Sequence, residues 1–234
     1  IKITDSYSDP RIDESDRSFT IALPLVTVTT PSTLWAATDT RQISWTTTGT
    51  MIGPMEVAWS LNNFSTATVI SNTVPAGTTS LNWTIPVEAV GTTMRIRVTD
   101  LGRPLVSGRC NNFMILPVPA ITVIDPDNTD TGEAAWRIGQ TRTILWSDNG
   151  GPVSNNLSLQ YSTDGGGSWT VIAASVPNSG SYNWNLPLTA APSTFCRIRV
   201  YDNTPWKTDT NLTAESGTFE IAIPKITVTA PASG

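Results

Sequence analysis

Clustered side-chain oxygens are the first chemistry the sequence offers: Asp125, Asp127, Asp130 and Glu133 share one short stretch with Asn128. Calcium is a hard cation that takes about six to eight oxygen ligands, so these four carboxylates form the candidate metal site, although their spacing departs from the EF-hand loop. The competing reading is a solvated acidic loop. A weaker candidate of the same kind is Asp9, Asp13, Glu14 and Asp16. Trp206 offers a different chemistry. It sits in a loop rich in Pro, Asp and Thr, where an exposed indole could stack on a sugar ring; the alternatives are a loop anchor or a junction contact.

Catalytic chemistry is poorly supplied. Histidine is absent, which removes the usual general base and the commonest transition-metal ligand. The acids are scattered over separate loops, so no facing carboxylate pair is expected, and the chain reads as non-enzymatic with no required cofactor beyond the calcium option. Charged residues are only 14%, so Thr, Ser and Asn must provide much of the polar surface, a composition common outside the cell. A net charge of -5 argues against nucleic acid and anionic membrane as partners. No stretch approaches the ~20 apolar residues of a membrane-spanning helix. No signal peptide is visible, so the sequence reads as a mature product or an internal section.

The elements that must position these residues are strands. Leu157, Leu159 and Tyr161 alternate into Asp164-Gly165-Gly166-Gly167, and the chain re-emerges at Trp169-Thr170-Val171-Ile172, which predicts a β-hairpin with Ser158, Gln160 and Ser162 on its polar face. The layout recurs upstream at Met55, Val57 and Trp59, a turn at Asn62-Asn63, then Val69-Ile70. The repetition continues on either side. Strands are predicted at 26–29 and 121–124, around Ile43/Trp45 and Ile144/Trp146, and at Leu81/Trp83/Ile85 and Tyr182/Trp184/Leu186, each of the last pair halted by Pro86 or Pro187. Met94/Ile96/Val98 pairs with Cys196/Ile198/Val200, and Phe113/Ile115 with Phe219/Ile221. About seven short strands per unit without helical periodicity predict an all-β fold: tandem immunoglobulin/fibronectin-III-like β-sandwiches.

The same comparison sets the boundaries. Residues 1–24 match the last two strands of an earlier repeat, 25–119 and 120–224 form two complete repeats, and 225–234 open a following one. In this reading Phe19 and Ile21 are covered by strands of a preceding unit or of a neighbouring copy, and units propagate head to tail. Cys196 takes an inward position with no cysteine facing it, so both it and Cys110 are expected to be free thiols.

In the second repeat, Ile121-Thr122-Val123, then Trp136, Gly139, Thr141, Ile144 and Trp146, then Gly180-Ser181-Tyr182, Trp184 and Pro187, then Arg197-Ile198-Arg199-Val200 and Ser216-Gly217-x-Phe219 resemble the serine/threonine-rich KRE/KNH-like repeat. That family is known from fungal cell-wall proteins of the GPI-anchored type and from tandem arrays on bacterial surfaces. No lipid-anchor tail is visible in this sequence. The first repeat departs from the pattern, with Thr38 in place of Gly139 and no triple glycine, so its loops are expected to serve differently. The resemblance implies an extracellular or cell-surface β-sandwich module and supplies no catalytic residues.

Other motifs have plainer readings. Residues 162–169 also resemble the Asp-box turn of sialidase-type propellers, but a single copy argues for a turn device. Trp35, Trp45, Trp83, Trp136, Trp146 and Trp184 occupy equivalent places and read as core. Arg95, Arg97, Arg197 and Arg199 alternate outward and should meet Glu56 or Gln160 on the neighbouring strand. Asn63, Asn82, Asn156 and Asn211 begin glycosylation sequons. The expected function is structural, a spacer or assembly repeat partnered by neighbouring repeats or copies of itself. The alternative is an adhesion module for polysaccharide or a partner surface, for which Trp206, Trp59 or Trp169 must lie exposed on a flat patch.

Overall fold

The computed structural model describes residues 2–4, 12–14, 22–31, 34–204 and 211–226, the first two segments as backbone. A short antiparallel ladder comes first: β1 (Lys2–Thr4) pairs β2 (Ile12–Glu14). The first sandwich comprises β3 (Leu25–Val28), β4 (Trp35–Ala36), β5 (Thr40–Thr48), β6 (Met55–Ser60), β7 (Thr68–Val74), β8 (Ser80–Thr84), β9 (Gly91–Asp100), β10 (Ser107–Arg109) and β11 (Phe113–Leu116). The second comprises β12 (Ile121–Asp125), β13 (Trp136–Arg137), β14 (Thr141–Asp148), β15 (Leu157–Ser162), β16 (Thr170–Val176), β17 (Ser181–Asn185), β18 (Ser193–Asp202), β19 (Thr213–Glu215) and β20 (Phe219–Ala222).

The second sandwich stacks a sheet β12-β14-β17 on a sheet β13-β20-β18-β15-β16, with β19 paired to β18. Inward positions of both sheets form one core around Trp136, Trp146, Trp184 and Phe219, filled by Ile144, Leu157, Leu159, Cys196, Ile198 and Val200. The Trp136 ring lies 5.1 Å from Phe219 and 6.3 Å from Trp184. The first sandwich has the same strand order, β3-β5-β8 and β4-β11-β9-β6-β7 with β10 on β9. The chain is therefore all-β, with tandem immunoglobulin/fibronectin-III-like sandwiches, and all six paired tryptophans are buried.

Two local features add to the sequence reading, and one expectation, the solvent face of Ser158 and Ser162, needs correction. Short strands at Trp35 and Trp136 pair in parallel with β11 and β20, so the opening strand of each repeat is shared between its two sheets; two-residue pairings leave no periodic signal. Ser158 and Ser162 are buried rather than on a solvent face, because β15 is flanked on both sides by β16 and β18. The first repeat's turn does not differ in construction. Ser60 Oγ accepts the Phe64 N–H, and Asn62 Oδ1 accepts the Thr66 N–H, just as Ser162 Oγ accepts from Gly166 and Asp164 Oδ1 from Ser168. Asn63 and Phe64 adopt positive φ (56° and 66°) where Gly165 and Gly166 do (77° and 102°).

Thr38 makes the same point. It holds φ 67° where Gly139 holds 80°, and each donates its N–H to the residue just beyond the equivalent strand, Ile85 or Leu186. A β-branched residue in the left-handed region is strained, and here the two flanking strands impose it. Both cysteines are free and buried. Cys110 fills the place of Ser216: its Sγ accepts the Ile96 N–H at 3.1 Å as Ser216 Oγ accepts that of Ile198 at 2.9 Å. Phe19, Ile21 and residues 227–234 lie outside the described residues.

Candidate functional site

The acidic segment of the second repeat is folded on itself. Asp127 accepts the N–H and hydroxyl of Thr129 at 2.7 and 2.6 Å, and Asp130 accepts the Asp127 N–H at 3.0 Å. Its far end is tied to β20, where Glu220 accepts the Gly132 N–H at 2.7 Å and donates its own N–H to the Asp130 carbonyl at 2.8 Å. Burial, then the charge and hydrogen bond of Asp130, push the Asp125 carboxyl up to about 6 against the opposing pull of Arg142. Glu133 pairs with Lys225 at 2.6 Å, and that hydrogen bond and charge hold its carboxyl below the usual range. The structure thus brings Asp125 and Asp130 together and directs Glu133 elsewhere. Among the described residues, no group of three or more acidic, cysteine or histidine side chains is placed to hold a metal ion.

The aromatic candidates divide. Trp206 lies outside the described residues. Trp59 is buried, 6.3 Å from Trp83, and takes no part in a flat patch. Trp169 is half-buried beneath Arg199, whose guanidinium sits 4.2 Å from the ring centroid while its Nε donates to Gln160 at 2.9 Å. The first sandwich covers the matching Arg97 with Phe64 at 4.6 Å and pairs it with Glu56 at 3.4 Å. Both arginines lie over an aromatic ring and are hydrogen-bonded across to the neighbouring strand, and Arg97 is also charge-paired with Glu56, so they read as parts of a surface ladder. Glu56 and Gln160 meet Arg97 and Arg199 as expected, whereas Arg95 turns to Asn63 and Asn112 and Arg197 to Glu215 at 3.1 Å.

The sequons differ in surroundings. Asn63, Asn82, Asn156 and Asn211 are all exposed. Asn63 Oδ1 accepts from Arg95 at 2.8 Å, Asn156 Oδ1 accepts from Ser175 and Asn203, and Asn211 donates to the Tyr201 hydroxyl.

Asp100 and Asp202 close equivalent strands and are nearly fully buried; sequence reasoning passed over them. Asp100 accepts the N–H groups of Ile52, Gly53 and Gly102 at 3.1, 2.9 and 2.9 Å. Asp202 accepts those of Ser154 and Thr204, both at 2.8 Å, and the Ser154 hydroxyl. Burial pushes the Asp100 carboxyl up, but the three N–H donors and Arg103 outweigh it and hold it below the ordinary value. Each aspartate fastens two loops at one end of its sandwich. The recurrence of Asp after Arg-Val-Thr and Arg-Val-Tyr is the signal that marks them.

No protein-family model matches the sequence, and comparison with curated proteins finds no match. Among solved structures, the chain is similar to the fibronectin(III)-like modules of Clostridium thermocellum CbhA, at 14% identity and TM-score 0.27, covering 83% of this chain and 94% of that one. It is also similar to the N-terminal four Ig domains of Dscam1 isoform 7.44, at 8% identity and TM-score 0.37, covering 92% of this chain and 51% of that one. The chain spans about half the length of the Dscam structures it matches. Among the described residues, no helix is long and apolar enough to cross a membrane.

Proposed function

We propose that this chain is a non-catalytic structural section of an extracellular cell-surface, cell-wall or filament protein, in which one sandwich is repeated head to tail. The observation that carries the reading is a third copy of one strand register. Lys2, Ile3 and Thr4 pair with Glu14, Asp13 and Ile12 in the β1–β2 ladder. Arg97, Val98 and Thr99 pair in the same order with Arg109, Gly108 and Ser107 in the first sandwich, and Arg199, Val200 and Tyr201 with Glu215, Ala214 and Thr213 in the second. Three ladders in one register support repeats at 1–24, 25–119 and 120–224 and an array of them; the KRE/KNH-like motifs of the second repeat support a wall or surface setting. Pulling the chain by its two ends tests the reading. Two unfolding events are expected, each releasing about 30 nm of chain for a repeat of roughly a hundred residues. Featureless extension at low force would remove the load-bearing role.

The second reading, a polysaccharide- or partner-binding adhesion module, has one feature in its favour: an aromatic groove on the second sandwich, lined by Tyr161 and Tyr182.

A further inference from the structure

Strands β16 and β17 are edges of different sheets, and between them the second sandwich leaves an open groove of about 440 Å³. Its lining includes Tyr161, Tyr182, Trp184, Thr170, Asn183 and Asn185, and no lining residue is charged. The Tyr161 ring meets that of Trp184 at 4.9 Å, tilted by 45°, so the aromatic floor is continuous with the core. Neither tyrosine hydroxyl has a hydrogen-bond partner among the described residues. Asn183 and Asn185 take the opposite face of β17 from Tyr182 and Trp184, where their carbonyl oxygens accept the hydroxyls of Thr143 and Thr141. We infer that this groove binds a neutral saccharide chain, stacked on the tyrosine rings and hydrogen-bonded by the Tyr161 and Tyr182 hydroxyls.

The lining selects that chemistry. An ionic ligand gains no counter-charge here, and a purely apolar one strands the tyrosine hydroxyls without partners. A sugar ring offers an apolar C–H face to an aromatic ring and hydroxyls around its rim, which matches both halves of the lining. An extended peptide adding to the β16 or the β17 edge is the competing occupant, and β17 is a short edge of five residues that Pro187 follows closely. The β15–β16 register shifts twice, between Leu157 and Leu159 and again between Leu159 and Gln160, and such bulges break the even row of N–H and C=O groups that strand addition needs. The site is particular to the second sandwich. At the equivalent positions the first carries Trp59 and Leu81, and so lacks both hydroxyls.

The inference goes beyond the structural role and stands or falls separately from it, since unfolding under force does not report saccharide binding. The test titrates the whole ¹⁵N-labelled chain with soluble neutral oligomers of glucose, mannose, galactose and N-acetylglucosamine, following indole and backbone resonances. At least one series should produce saturable shifts at Trp184 and Thr170–Ile172. Tyr182→Leu combined with Tyr161→Phe, which installs the first sandwich's Leu and removes both hydroxyls, should weaken binding at least about tenfold. If that variant fails to fold, Tyr182→Phe alone keeps the ring and should weaken binding severalfold. Absence of shifts with every series, shifts away from the groove, affinity unchanged in the variants, or shifts with extended peptides in place of saccharides would overturn it.

Discussion

The indole N–H of Trp146 donates to Asn178 Oδ1 at 2.9 Å, whereas the N–H of the equivalent Trp45 is buried without an acceptor among the described residues. The difference lies in the turn before the next strand. Pro177-Asn178-Ser179-Gly180 places a side-chain acceptor under the indole, and the longer Pro75-Ala76-Gly77-Thr78-Thr79 supplies a methyl group. Asn178→Ala should therefore cost the second sandwich about 1–2 kcal/mol, the penalty of one orphaned buried donor. Hydrogen exchange of its core amides, read in the full chain, checks this; unchanged protection would show that the bond contributes nothing.

Thr38→Gly is expected to stabilise the first sandwich by about 1 kcal/mol, because glycine removes the left-handed strain at φ 67°. The reciprocal Gly139→Thr should destabilise the second by a similar or larger amount, since a Cβ at Gly139 would approach Leu188 Cδ2 to 3.2 Å. Chemical denaturation of the two variants against the parent chain measures both signs.

Removing Asp100 or Asp202 leaves several buried donors unpaired at once. Asp100→Ala and Asp202→Ala should each cost about 2–4 kcal/mol in their own sandwich, with little loss of strand content. Asp100 also fixes a pH dependence. Its carboxyl pKa is depressed by folding, so its contribution is complete above the unfolded aspartate pKa and disappears as pH falls through the lower folded value. Acid titration of Asp100→Asn should lack that component of the parent chain's destabilisation.

Asp125 acts in the opposite direction. Its folded pKa of about 6 lies above the unfolded value near 3.8, so the folded state binds the extra proton and stability rises as pH falls from 7 toward 5. Asp125→Asn should raise the melting temperature by a few degrees at neutral pH and leave it unchanged near pH 4. The expected calcium site at Asp125, Asp127, Asp130 and Glu133, from which Glu133 is drawn away by Lys225, is tested in the same pH range. An ion held there competes with the proton, so stabilisation by calcium should be present at pH 7.5 and fade by pH 5; melts that coincide with calcium and chelator at both pH values would leave an acidic loop.

Cys110 and Cys196 should react with a thiol reagent only after denaturation, two per chain. Burial raises both thiol pKa values and limits thiolate formation as well as access. Rapid labelling of the native chain would contradict the inward placement of Cys196.

The alternation of Leu157, Leu159 and Tyr161 and the recurrence of paired tryptophans made the sandwiches legible, because a strand with one buried face repeats every second residue. The parallel pairings of Trp35 with Ile115 and Trp136 with Ile221 were not, since contacts this short leave no period. Trp59 and Trp169 could not be sorted from the sequence alone, as their exposure depends on Trp83 and Arg199, which other strands supply. The Tyr161–Tyr182 groove was hidden for a related reason: its walls come from two sheets, and each tyrosine by itself reads as core.

The bulged edges have a consequence for crowding. The β6–β7 register shifts at the same two places as β15–β16, so β7 carries the same irregularity as β16. Where many copies of such a sandwich are tethered side by side, each exposed edge meets its neighbours at effective concentrations on the order of millimolar. Straight seven-residue edges bearing Val69 or Val171 would then template lateral sheet growth toward amyloid-like ribbons. On the sheets that carry β7 and β16 the interrupted edges oppose such growth, a protection lodged in the backbone and therefore insensitive to salt and pH.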